Sequence, residues 1–152
     1  MSPLSDGLPE EARKKFILGK LLPGCVVRLD VKFPDKSNPK FLVLVAEDDP
    51  EYWTFIINTE IHAFVQARPH LLQCQVKVNA AENPFLQYDS HLACHEILKL
   101  RREEVVQALM HDTSGLKGHI SEAVRNEIIA AVKFAQTLTP NEKQQILSSL
   151  TS

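Results

Sequence analysis

Three strand-like runs crowded between Cys25 and Asn58 constrain this chain more than any other feature. Cys25-Val26-Val27-Arg28-Leu29-Asp30-Val31 begins as an apolar run and then alternates apolar with charged residues. Phe41-Leu42-Val43-Leu44-Val45-Ala46 is continuously apolar, which suits a strand covered on both faces. Trp53-Thr54-Phe55-Ile56-Ile57-Asn58 makes a third strand. Phe33 to Pro39, with two prolines, an Asn and a Ser, reads as a loop, and Asp48-Asp49-Pro50 as a turn.

Around this nucleus the pattern changes twice. Upstream, Pro9, Glu10 and Glu11 open a helix whose Ala12, Phe16 and Ile17 share one face, until Gly19 and then Pro23-Gly24 end it. Downstream, a less regular stretch runs to Pro69, and Leu71 to Val78 alternates polar and apolar residues as a half-buried strand does. Phe85-Leu86 precedes Asp89-Ser90, and Cys94 to Leu100 reads as a last short strand. After Leu100 the periodicity is helical: Glu103-Glu104 lead a helix through Met110, and Ser121-Glu122 lead a second through Thr137. Thr139-Pro140-Asn141-Glu142 start a third through Leu150, with Thr139 and Glu142 spaced as a capping box and Pro140 at the first helical position. Five or six short strands followed by helices predict a mainly β fold with α: a small β-barrel with helices outside it. The expected organisation is one domain over 1–152, with an N-terminal helix in 1–21, the barrel in 22–100 and a helical part in 101–152.

Composition bounds the function classes. A chain of 152 residues that is 44% hydrophobic and 24% charged buries a real core without staples. Three Cys, none in a C-x-x-C pair, argue against a disulfide framework and for a reducing compartment. Met1 to Pro9 has no apolar leader and no apolar run nears 18 residues, so the expected location is cytoplasmic, away from membranes. The net charge of −2 hides an asymmetry. Arg13 to Lys40 holds eight of the 17 basic side chains and two of the 19 acidic ones, or +6, leaving −8 elsewhere. Such a segment is either a local site for a polyanion such as RNA or a solvated helix with lysines guarding strand edges.

Few constellations carry chemistry. The five glycines form neither a G-x-G-x-x-G nor a Walker pattern, and there is no G-x-S-x-G elbow. His91, Cys94 and His95, with Cys74 as a fourth donor, converge on a zinc only if their stretch is helical, and their spacing matches no standard zinc module. Cys94 with His62 or His119 offers a nucleophilic pair, but the cysteines sit in apolar or alternating strand contexts where burial makes thiols inert. Trp53, Phe55, Phe41 and Phe33 read either as a base-stacking platform or as core, with core favoured for most.

The order of the features resembles a known family. A Pro23-Gly24-x-Val-Val opening leads to the first strand, a polar loop ends in Asn38-Pro39-Lys40, and a third strand ends at Asn58-Thr59. Asp89-Ser90 later precedes a short strand, and Gly118-His119-Ile120-Ser121 enters a helix. Over roughly Leu22 to Phe134 this is similar to the MazF/PemK/Kid toxin endoribonucleases, SH3-like barrels with a C-terminal helix. The resemblance implies a homodimer, inhibited by a small antitoxin protein, that cleaves single-stranded RNA without metal or other cofactor. Lys40-Phe41 stands where the family usually carries Arg-Pro, and Thr59 keeps the family's hydroxyl. The implied catalytic residues are Lys40 at the scissile phosphate, Thr59 assisting and His62 exchanging protons, with Arg28 and Asn58 binding RNA. A Lys there donates as a point charge and lacks the guanidinium fork, which favours the alternative of a catalytically inactive barrel serving as a binding module.

Overall fold

In the structure, a computed structural model describing residues 9–34 and 37–151, the three runs become neighbouring antiparallel strands, β1 (Cys25–Lys32), β2 (Ser37–Asp48) and β3 (Glu51–Asn58). Asp35 and Lys36 of the basic segment and Met1 to Leu8 lie outside the described residues. The expected loop from Phe33 is shorter than its prolines suggest. Ser37, Asn38 and Pro39 already pair with Lys32, Val31 and Asp30. Pro39 is tolerated because pairing of β2 with β3 begins only at Phe41, leaving the start of β2 a sheet edge on that side.

The sheet continues as β4 (Gln75–Val78), β5 (Ser90–Ala93), β6 (Leu98–Arg101) and β7 (Leu116–His119). Its order is β4-β5-β3-β2-β1-β7, with β6 beside the first half of β3. The antiparallel sheet curls into a half-barrel, and helix takes 40% of the described residues against 31% for strand. Helix therefore outweighs strand in what was expected to be a mainly β fold. They are α1 (Glu10–Lys20), α2 (Ala63–Gln66), α3 (Pro69–Leu72), α4 (Arg102–His111), α5 (Glu122–Phe134) and α6 (Pro140–Thr151). None of the described helices is long and apolar enough to cross a membrane.

Both faces of the central strands are covered, which is why Phe41 to Ala46 is apolar without a break. On one side Val26, Val43, Phe55 and Leu92 pack with Ile128 and Val132 of α5 and Ile146 and Leu150 of α6. On the other, Val27, Leu29, Leu42, Leu44 and Tyr52 pack with Ile17 of α1 and Val105 and Leu109 of α4. Trp53 and Phe55 are core, as expected, and Phe41 is half-buried against it.

Three expected elements differ. Pro69 starts the helical turn α3, so only Gln75–Val78 of the alternating stretch is strand. Of the last strand expected over Cys94 to Leu100 only the end is strand, in β6 from Leu98, while β5 lies before it at Ser90–Ala93. β5 pairs with the end of β3 through Leu92 and Ile57, while β6 pairs with its beginning through Leu98 and Thr54. Between them Cys94 N–H turns inward to Cys74 O at 3.1 Å. Finally, the residues expected to turn into α5 form β7, whose Gly118 and His119 pair with Val26 and Cys25 around a bulge. Gly118 sits at φ +114°, a conformation that favours glycine.

Candidate functional site

Register decides where the candidate residues go. Lys40 lies opposite Leu29, which belongs to the α1/α4 side, and Lys40 Nζ donates to Asn58 Oδ1 at 3.2 Å. Asn58 lies opposite His91 and His91 opposite Lys77, so one polar row crosses four strands on that side. Arg28 lies opposite Phe41 and Phe41 opposite Ile57, which puts all three on the α5/α6 side. Because side chains alternate along a strand, a cation at position 40 and one opposite position 41 cannot share a face. The five candidates therefore separate. Arg28 and Thr59 line one cleft. Asn58 and His62 line a wide groove on the opposite side, where Lys40 reaches Asn58. The basic segment is likewise divided by the sheet, since α1, which carries four of its cations, packs on the α1/α4 side.

The Arg28 cleft encloses about 440 Å³ and is lined by Arg28, Lys117, Thr59 and Ser90, with Phe41, Phe85 and Tyr88 among its apolar walls. Arg28 lies over the Phe41 ring, 6.0 Å from its centroid, and Phe41 packs on Phe85 at 5.5 Å with a 50° tilt. Phe85 and Tyr88 are carried by a loop that its own polar groups hold in shape. Asp89 Oδ1 accepts from Ala80 N–H at 2.9 Å, and Asn83 Nδ2 donates to Asn79 O at 2.9 Å. Ser90 Oγ donates to Tyr88 O at 2.8 Å, which fixes the backbone while the Tyr88 side chain remains 64% exposed. The Asp89-Ser90 pair is thus a loop fastener. Lys117 comes from the bulge in β7. Phe85, Tyr88 and Lys117 were not among the expected site residues; only Tyr88, an aromatic in a polar loop, carried a signal in the sequence.

No carboxylate and no imidazole lines this cleft among the described residues. A guanidinium, an ammonium, the Thr59 hydroxyl and the exposed Tyr88 ring can hold a phosphate and stack a base. They supply no group that exchanges a proton near neutral pH.

The thiol and metal constellations do not assemble. Among the described residues no three His, Cys, Asp or Glu side chains converge on a metal position, and His91, Cys94 and His95 lie on a strand and turn, not a helix. Burial pushes the Cys94 thiol well up, with neighbouring Cys74 adding to the rise, and pushes Cys74 up as well. His119 is on β7 at the far edge of the sheet from β5, beside Cys25. That cysteine's thiol is pushed up to about 11 by burial, so it is not a thiolate at neutral pH. His95, in the wide groove, is pulled down by burial, with Glu96 raising it and His70 lowering it.

Compared with known proteins, the sequence matches no protein-family profile, and no curated protein matches it.

Proposed function

We propose that the chain is an SH3-like binding module for single-stranded RNA, with phosphate held between Arg28 and Lys117 and a base stacked on the Tyr88 and Phe41–Phe85 walls. The observation that carries this reading is the cleft itself, which joins two cations, the exposed Tyr88 ring and the half-buried Phe41 and Phe85 rings without an opposing carboxylate among the described residues. RNA as the polymer comes from the resemblance to the MazF/PemK family; binding without cleavage comes from the lack of a proton-exchanging group beside Arg28. A second reading keeps the family's chemistry, with an antitoxin and a homodimer as partners. It rests on the Lys40–Asn58 hydrogen bond at 3.2 Å and on His62 sharing a groove with Asn58.

Fluorescence anisotropy with a labelled 12-nucleotide RNA, followed by a denaturing gel of the same samples, tests both. Wild type binds and the RNA stays intact. Arg28→Gln and Tyr88→Ala each lose about tenfold in affinity, in the range of one phosphate or stacking contact. RNA that is cleaved, with cleavage lost in Lys40→Ala and His62→Ala, replaces the binding module by the ribonuclease. RNA that neither binds nor breaks overturns both readings.

A further inference from the structure

We propose that the wide groove at the β5–β6 fork, walled by Ile56 and Leu98 on one side and by Leu138 and Glu142 near the start of α6 on the other, binds an amphipathic carboxylate, its acyl or aryl chain along the apolar floor and its head group at Arg68. The site is separate from the Arg28 cleft, and neither depends on the other.

The groove encloses about 960 Å³ beside the fork where β5 and β6 part along β3, at the upper end of what small-molecule sites occupy. Its walls include Phe33, Ile56, Val65 and Leu98. Phe64 on α2 lines the same groove and is 57% exposed, a large apolar surface left in water beside a concavity.

Arg68 makes this more than a greasy furrow. Its guanidinium stacks 3.5 Å from the Phe64 ring centroid, and Nη1 donates to Phe64 O at 2.8 Å. Those two contacts hold the fork at the groove wall, so little rotamer freedom is lost when it meets a ligand. No other hydrogen bond or ion pair engages the Arg68 guanidinium among the described residues. Charge favours an anion. Lys32 lines the groove and has no ion pair among the described residues, whereas Glu142 is already used by Thr139 N–H and by Lys99 at 3.7 Å. Glu96 is the remaining carboxylate of the lining, and it sits beside His95. A held guanidinium above an apolar floor matches a flat carboxylate on a hydrocarbon chain.

The test uses the full chain and the fluorescent probe 8-anilinonaphthalene-1-sulfonate, displaced by decanoate, decanol or decyltrimethylammonium below their micelle concentrations. Decanoate displaces the probe at about tenfold lower concentration than the other two. Arg68→Gln removes that preference and leaves decanol unchanged; Phe64→Asp, a change at an exposed position, weakens all three. Melting temperatures of both variants stay at the wild-type value, so the losses are losses of binding. Equal displacement by the three head groups, or a preference that survives Arg68→Gln, overturns the proposal. So does probe binding that fades as protein concentration rises, because the groove would then be covered by a second copy.

Discussion

Gly24 sits at φ +95°, and a Cβ there would come within 2.5 Å of Arg125 Nη2. Arg125 is not idle: Nη1 donates to Leu150 O at 2.8 Å and Nη2 to Pro23 O at 3.2 Å, tying α5 to the end of α6 and to the turn before β1. Gly24→Ala therefore strains the backbone and displaces that clamp, and urea denaturation should register a loss of about 1–3 kcal/mol. Gly19 lies inside α1 with nothing within 4 Å of a Cβ, so Gly19→Ala should instead gain about 0.5–1 kcal/mol. The same scale governs pH. Burial raises the Cys25 thiol from 9.0 to about 11, so the folded protein keeps a proton that the unfolded chain releases first. The stability this contributes is whole below pH 9.0 and is lost as pH rises toward about 11. Cys25→Ala should flatten the alkaline fall in stability by up to ~1.4 kcal/mol per pH unit, measured by denaturation at a series of alkaline pH values. An unchanged alkaline slope would mean that the thiol ionises as freely in the fold as outside it.

Among the elements, α6 is the clearest case of local signals agreeing with packing. Thr139 N–H donates to Glu142 Oε1 at 2.9 Å and Glu142 N–H to Thr139 Oγ1 at 3.1 Å, the reciprocal box that the sequence predicts. Ile146 and Leu150 are buried against the sheet. Thr139→Ala should cost about 1 kcal/mol, the value of a lost cap. Ile146→Ala should cost about 2–5 kcal/mol in the same denaturation assay, because it empties a fully buried site. Elements of this kind were legible because caps and periodicity are written in adjacent residues. β7 was not, since Leu116-Lys117-Gly118-His119 has no apolar alternation and is a strand only because β1 offers it an edge. The grouping of the candidate residues was illegible for a related reason. Lys40 and Thr59 stand at strand ends and Arg28 within β1, but which face each takes depends on the β1–β2 and β2–β3 registers, and a shift of one residue would move each to the other face. The aromatic loop bearing Phe85 and Tyr88 was missed because its order comes from Asp89 and Asn83 bonding back to the chain, not from any regular repeat.

At the scale of the molecule, the sheet acts as a partition for charge. The segment Arg13 to Lys40 holds eight basic residues, yet α1 and Lys40 lie on one side and Arg28 on the other. A strand of RNA in the Arg28 cleft meets two cations, Arg28 and Lys117. Counterion release from single strands gives a slope of about −0.7 in log affinity against log salt for each phosphate neutralised, so the expected slope is about −1.4. Eight cations acting as one surface would give about −5.6 on the same relation. Anisotropy titrations across a range of salt therefore separate a local cleft from a basic wrap, and they do so without a mutation. Lys117→Gln should bring the slope to about −0.7 while leaving base stacking in place. A slope near −5.6 would mean that RNA crosses the edge of the sheet to reach α1. A flat response would leave the cleft's cations without a phosphate, and the stacking walls alone do not make a nucleic-acid site, because the remainder of the chain, at −8, repels the polymer that they would hold.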